Sequence, residues 1–177
     1  MTVTVRPVHT SELADVGDLT VHAYVVDGLS GEEGGYADQL RDVATRAREA
    51  EVYVAALPES PGSIAGTVTF CPQGSPWAQL AQPGEGEFRM LAVAPEARRR
   101  GVAEALVGVC VERARELGYT AMVLCTLPDQ LTAHRLYERL GFRRDPDLDW
   151  SPRDEVDLIG YRLELARFAP APSRMRQ

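Results

Sequence analysis

The stretch "APEARRRGVAEALVG", Ala94 to Gly108, follows the strand-like run "FRMLAV" (88–93) and opens a helical repeat. Val102, Leu106, Val109 with Cys110, Arg113 with Ala114, and Leu117 recur at helical spacing, and Gly118 stands at the C-terminal cap position. A helix N-terminus leaves four backbone N–H groups without internal partners, and the helix dipole adds roughly half a positive charge there. Gly101 removes a side chain from that spot, while Arg98, Arg99 and Arg100 supply guanidinium donors around it. The segment therefore reads as a cradle for a diphosphate, with a solvated basic turn as the plain alternative. Other phosphate loops do not fit. No GxxxxGK[ST] run exists, and "GEGEFR" from Gly84 lacks the third glycine of a dinucleotide fingerprint and precedes its strand.

Beyond this helix, "TAMVLCTL" (120–127) is almost wholly apolar, the mark of a strand covered on both faces. "DQLTAHRLYERLGF" then puts Ala133, Leu136, Tyr137 and Leu140 on one helix face and stops at Gly141, with His134 off that face and expected at the surface. "VDLIGYRLEL" (156–165) alternates as a strand. Upstream, "VTVRPV" (3–8) reads as a strand, and Ser11 caps a helix that the Gly28–Gly35 run breaks. "YADQLRDVATRAREA" (36–50) resumes helical spacing. "EVYVAAL" and "SIAGTVTF" form a hairpin about Pro58–Gly62, and "CPQGSPWAQLAQPGEGE" (71–87) is loop by its Pro and Gly content. The order β, α, α, β, β, β, α, β, α, β specifies one α/β domain with a mixed sheet, expected over 1–167, with 168–177 as a flexible tail.

Composition limits the function. With 177 residues, 45% hydrophobic and 25% charged, the chain suits one globular domain. A net charge of -7 argues against nucleic acid and anionic membranes as partners, so the arginine cluster is a local exception. Cys71, Cys110 and Cys125 are scattered without CxxC spacing, which argues against a metal centre and a disulfide framework. The N-terminus carries charges where a secretion signal needs an apolar run, so a cytoplasmic location is expected.

Two motifs resemble those of the GCN5-related N-acetyltransferase (GNAT) superfamily of acyl-CoA-dependent enzymes. Arg98, Gly101 and Ala103 match [QR]-x-x-G-x-[GA] after a strand. Gln130, Ala133, Tyr137, Glu138, Gly141 and Phe142 match an Asn-x-x-Ala-x-x-x-Tyr-Glu-x-x-Gly-Phe helix, with Gln130 in place of the usual Asn. The order of elements from Val3 to Leu165 is similar too. The resemblance implies a mostly antiparallel sheet flanked by helices, in which the strand through Leu91, Ala92 and Val93 splays from the one at Met122–Cys125 and lends backbone groups to the pantetheine arm of acetyl-CoA. It places the diphosphate on the amides of Arg98, Arg99, Arg100, Gly101, Val102 and Ala103, with Gln130 and Ala133 also at the cofactor, and no metal.

The same resemblance implies direct attack by an amine on the thioester, with Tyr137 in the general-acid position. A tyrosine near 10 and a thiol near 8.5 make full proton transfer uphill by about 2 kcal/mol, so a hydrogen bond to the developing thiolate suffices. Glu87 matches the glutamate base of the histone-acetylating branch; otherwise it is a strand-end residue hydrogen-bonded to backbone. An ordinary carboxylate lies about six pKa units below an alkyl ammonium, so a base there needs burial or a water relay. No carboxylate stands at Cys125, where the branch that acetylates ribosomal protein N-termini carries its base. The implied function is acetylation of a primary amine on a small molecule or peptide; the alternative is a non-catalytic acyl-CoA-binding module. Acidic loops at 27–38 and 145–155 suit a cationic amine, and Trp77 and Trp150 read equally as pocket lining or loop anchors. Monomer and homodimer both remain open.

Overall fold

In the computed structural model, which describes residues 2–165, the hairpin foreseen at Pro58–Gly62 joins two strands of one eight-stranded sheet. In chain order the elements are β1 (Thr4–Pro7), α1 (Leu13–Val26), α2 (Tyr36–Arg41), α3 (Val43–Glu49), β2 (Glu51–Ala56), β3 (Gly66–Cys71), β4 (Glu85–Val93), α4 (Val102–Glu116), β5 (Ala121–Thr126), α5 (Leu131–Arg139), β6 (Arg143–Arg144), β7 (Trp150–Arg153) and β8 (Val156–Glu164). The strands lie in the order β1-β2-β3-β4-β5-β8-β6, with β7 also paired to β8. Only β4 and β5 run parallel.

Alternation sorts the side chains onto two faces. Val52 and Val54 of β2 meet Val16 of α1 and Val43 of α3, while Val68 and Phe70 of β3 meet Leu106, Val107 and Cys110 of α4. Every residue of β3 is buried, as a central strand covered by helices on both sides must be. Tyr137 of α5 joins the α4 face.

The decisive feature lies between β4 and β5. Their parallel register runs Glu85↔Ala121, Gly86↔Met122, Glu87↔Val123 and stops there. β5 nevertheless continues along β8 to Thr126↔Ile159, and β4 along β3 to Val93↔Gly66. The register of β3 and β4 shifts between Thr67 and Thr69: Met90 and Leu91 oppose Val68 alone, a bulge with Met90 at φ 53°. A bulge bends its strand, and here it turns β4 away from β5 into an open V.

The structure departs from expectation in several places. The helix read over 36–50 breaks at Asp42, whose carboxylate accepts the Thr45 N–H at 3.1 Å and caps α3 separately. β4 starts at Glu85, inside the stretch read as loop, so Glu87 lies within the strand and not at its end. The short strands β6 and β7 were not foreseen: two to four mostly exposed residues are too few to show an alternation. His134 is buried, not at the surface, because its ring lies 5.5 Å from that of Tyr161 and Nε2 stands 2.9 Å from Leu127 O. The tail expected at 168–177 lies outside the described residues. Among the described residues no helix is long and apolar enough to cross a membrane.

Candidate active site

The turn between β4 and α4 carries two residues in the left-handed region, Arg99 at φ 59° and Gly101 at φ 81°. Gly101 is the N-cap of α4, and a Cβ built on it meets nothing within 4 Å. The space outside this backbone is open, as a phosphate approaching amides requires. Ala105 N–H bonds Gly101 O at 3.0 Å, and the N–H groups ahead of it in the first turn have no intrahelical carbonyl to bond. Val102 is buried and seats the helix on the sheet, while Ala103 is half-buried.

The three arginines differ from one another. Arg98 pairs with Asp27, the C-cap of α1, at 2.9 Å, and Arg100 pairs with Glu59 in the β2–β3 turn. Arg99 is exposed and has no ion-pair partner among the described residues. Exposed pairs of this kind contribute little, about 0–1 kcal/mol, so Arg98 and Arg100 remain exchangeable toward a stronger anion.

Past Glu87, the edge of β4 that faces β5 has no ladder partner, so the stretch Leu91 to Val93 borders the V along an unpaired strand edge. Tyr137 stands beside this opening. Its ring packs on Phe88 at 5.8 Å, Tyr161 at 6.0 Å and Phe142 at 6.1 Å, and burial pushes its phenol well above the ordinary tyrosine value. Gln130 is the N-cap of α5, and its Oε1 accepts the Thr126 hydroxyl at 3.3 Å, which ties the helix start to the end of β5. Ala133 packs against the core one turn on.

Glu87, Arg89 and Cys125 share the opposite face of the sheet. Glu87 is fully buried; its Oε2 accepts N–H groups of Gln79 at 2.8 Å, Leu80 at 2.8 Å and Ala81 at 3.2 Å, while Oε1 has no partner. The residue thus pins the loop before β4 and retains one uncommitted oxygen at the vertex of the V. Arg89 Nη1 donates to Trp77 O at 2.8 Å. Trp77 also donates from Nε1 to Glu49 at 2.8 Å, an anchor for its loop, and its ring lies 5.9 Å from the Arg46 guanidinium. Arg46 is fully buried, with Nη1 on the carbonyls of Gln39 at 3.0 Å and Leu40 at 3.2 Å. Sequence reading missed both guanidinium groups. The available signal was an arginine three residues after Val43 on the apolar stripe of α3.

Burial raises the thiol of Cys125 and pushes that of Cys71 up to about 12. The acidic loops are partly engaged: besides Asp27, Asp38 pairs with Arg41, Asp145 with Arg162 and Asp149 with Arg144. Their attraction for a cationic amine is reduced accordingly.

Comparison with known proteins agrees with this geometry. The family model described as the acetyltransferase (GNAT) family matches residues 20–142. An uncharacterized N-acetyltransferase of Schizosaccharomyces pombe is 33% identical over 106 residues, 60% of this chain and 60% of the relative. A mycothiol acetyltransferase of Pseudarthrobacter chlorophenolicus is 38% identical over 42% of this chain and 24% of its own length. The match therefore spans 60% of the first relative's length and about a quarter of the second's. A GNAT superfamily phosphinothricin acetyltransferase from Sinorhizobium meliloti, solved in complex with acetyl-CoA, superposes with a TM-score of 0.70 at 20% identity, over 98% of this chain and 95% of that one.

Proposed function

The chain belongs to the GNAT acetyltransferase family, and on that premise we propose that it moves an acetyl group from acetyl-CoA to the primary amine of a small molecule or peptide by direct attack. The observation that carries this reading is the end of β4–β5 pairing at Glu87↔Val123, with a bare helix N-terminus at Gly101 beyond one arm of the V and Tyr137 beside it. In this reading Leu91, Ala92 and Val93 hold the pantetheine arm as a strand would hold an added strand. Amides from Arg98 to Ala103 hold the diphosphate, with Arg99 supplying uncommitted charge. Gln130 and Ala133 flank the same arm.

The thioester supplies the acetyl group: a C–N bond forms, the C–S bond breaks, and of the two protons the ammonium loses, one goes to the departing sulfur and one to solvent. Tyr137 stays protonated because burial raises its phenol, so it donates a hydrogen bond to sulfur and does not transfer its proton. Glu87 Oε1 receives the first ammonium proton, directly or through a water. The raised thiols of Cys71, Cys110 and Cys125 leave no thiolate near neutral pH to form an acyl-enzyme, which favours the direct route. Holding both reactants in the V supplies much of the rate.

The test is free-thiol release from acetyl-CoA across a panel of amines, with the acetylated amine identified by mass spectrometry. Thiol and acetyl-amine in equal amounts support transfer. Tight acetyl-CoA binding with no thiol from any amine favours a non-catalytic module of the same fold.

A further inference from the structure

Four buried side-chain polar atoms among the described residues lack a hydrogen-bond partner: Arg46 Nε, Arg46 Nη2, Glu87 Oε1 and Trp150 Nε1. Unpaired buried polar atoms are rare in native folds, so each asks for an explanation. Register places Glu87 beside Arg89. Cys71↔Glu87 and Thr69↔Arg89 on β3, and Glu87↔Val123 on β5, put Glu87, Arg89, Val123 and Cys125 on the face that α1, α2 and α3 cover. Arg46 projects from α3 against Trp77, whose carbonyl Arg89 holds. Tyr24 and Tyr36, with ring centroids 6.0 Å apart, lie in the field of both arginines.

Charge makes the arrangement more specific. Arg6, Arg98, Arg113, Arg144 and Arg162 all pair with carboxylates, whereas Arg46 and Arg89 have none among the described residues. A buried guanidinium without a counter-ion is costly, and Arg46 is fully buried with Nε and Nη2 unpartnered. A phosphate or other plain anion would satisfy the two arginines but would face the Glu87 carboxylate. A ligand that offers an anion to Arg46 and Arg89 and a cation to Glu87 Oε1 satisfies both sets at once.

Building on the acetyl-transfer reading, we propose that the acceptor is a zwitterionic amino acid or close analogue, its carboxylate bound by Arg46 and Arg89 and its ammonium directed to Glu87 Oε1 at the vertex of the V. The arginines then select the acceptor and orient its nitrogen, while the transfer step is unchanged.

The experiment measures thiol-release rates with acetyl-CoA for the standard amino acids, their methyl esters and their decarboxylated amines. The expected result is that the preferred amino acid loses at least about 100-fold in kcat/KM when its carboxylate is esterified or removed. Arg89→Gln and Arg46→Gln should each raise KM for the amino acid, leave KM for acetyl-CoA in place, and shrink the ester penalty. Arg89 is only half-buried, so its variant carries the test if Arg46→Gln does not fold. Esters or decarboxylated amines that react as well as the amino acid overturn this inference and leave acetyl transfer standing, as does an ester penalty undiminished in Arg89→Gln. No thiol from any amine overturns both.

Discussion

Tyr137 sets its hydroxyl-bearing ring among those of Phe88, Phe142 and Tyr161, and the proposed chemistry needs only that hydroxyl. Tyr137→Phe should lower kcat by about 100-fold with KM for acetyl-CoA nearly unchanged, read from steady-state thiol release; a change confined to acetyl-CoA binding would refute the assignment. Glu87 serves two purposes that substitution can separate. Glu87→Gln keeps an oxygen for the N–H groups of Gln79, Leu80 and Ala81 but loses the basic one, so kcat should fall while the melting temperature holds. Glu87→Ala strands those donors and should also cost at least about 2 kcal/mol in denaturant unfolding. Full kcat in Glu87→Gln would leave the residue a loop anchor alone. At this scale the placement of Gly101 at the start of α4 and of Tyr137 on the buried face of α5 was legible, because short motifs with fixed spacing mark both positions. Arg46 was not: nothing in sequence spacing says that a stripe position will be filled by a guanidinium lying on the indole of Trp77, 31 residues further on.

The seating of α4 decides where its N-terminal amides point. A Cβ on Gly66 would stand 2.8 Å from both Ala92 O and Val102 Cγ1, so only glycine lets β3 and β4 approach the first turn of α4 this closely. Gly66→Ala should destabilise the fold by about 1–3 kcal/mol by overpacking. By lifting the helix start off β4 it should also weaken acetyl-CoA binding about tenfold in calorimetry. A lower melting temperature with unchanged affinity would show that α4 does not depend on this contact. Elements with long periodic stripes, such as α4, or dense apolar runs, such as β3 and β5, were legible. The break at Asp42 was hidden because the apolar period continues through it, and only the carboxylate's competition for the Thr45 N–H ends the helix. Met90 was hidden for the converse reason: its left-handed backbone comes from an extra residue opposite Val68, and no local propensity marks a methionine for it.

Across the whole molecule, the order of elements could be read from the chain's own periodicity, whereas the V was expected only through the family resemblance. It is the sum of a ladder that stops at Glu87↔Val123, a bulge that turns β4, and β8 drawing β5 the other way, each a non-local pairing. The net charge of -7 is a bulk property and says little locally: Asp27, Asp145 and Asp149 of the acidic loops pair with arginines, while Arg46 and Arg89 have no carboxylate partner among the described residues. What joins the scales is the proposed diphosphate grip at Gly101, which in this reading fixes the thioester in the V. The most direct test is calorimetric titration with acetyl-CoA and with S-acetylpantetheine, which lacks diphosphate and nucleotide, on the wild type and on Gly101→Asp. The account predicts that the wild type binds acetyl-CoA at least about 100-fold more tightly than the truncated thioester, through several charge-assisted hydrogen bonds, and that Gly101→Asp removes most of that difference while leaving S-acetylpantetheine binding unchanged. Equal affinity of the wild type for the two thioesters, or undiminished acetyl-CoA binding by Gly101→Asp, would contradict it.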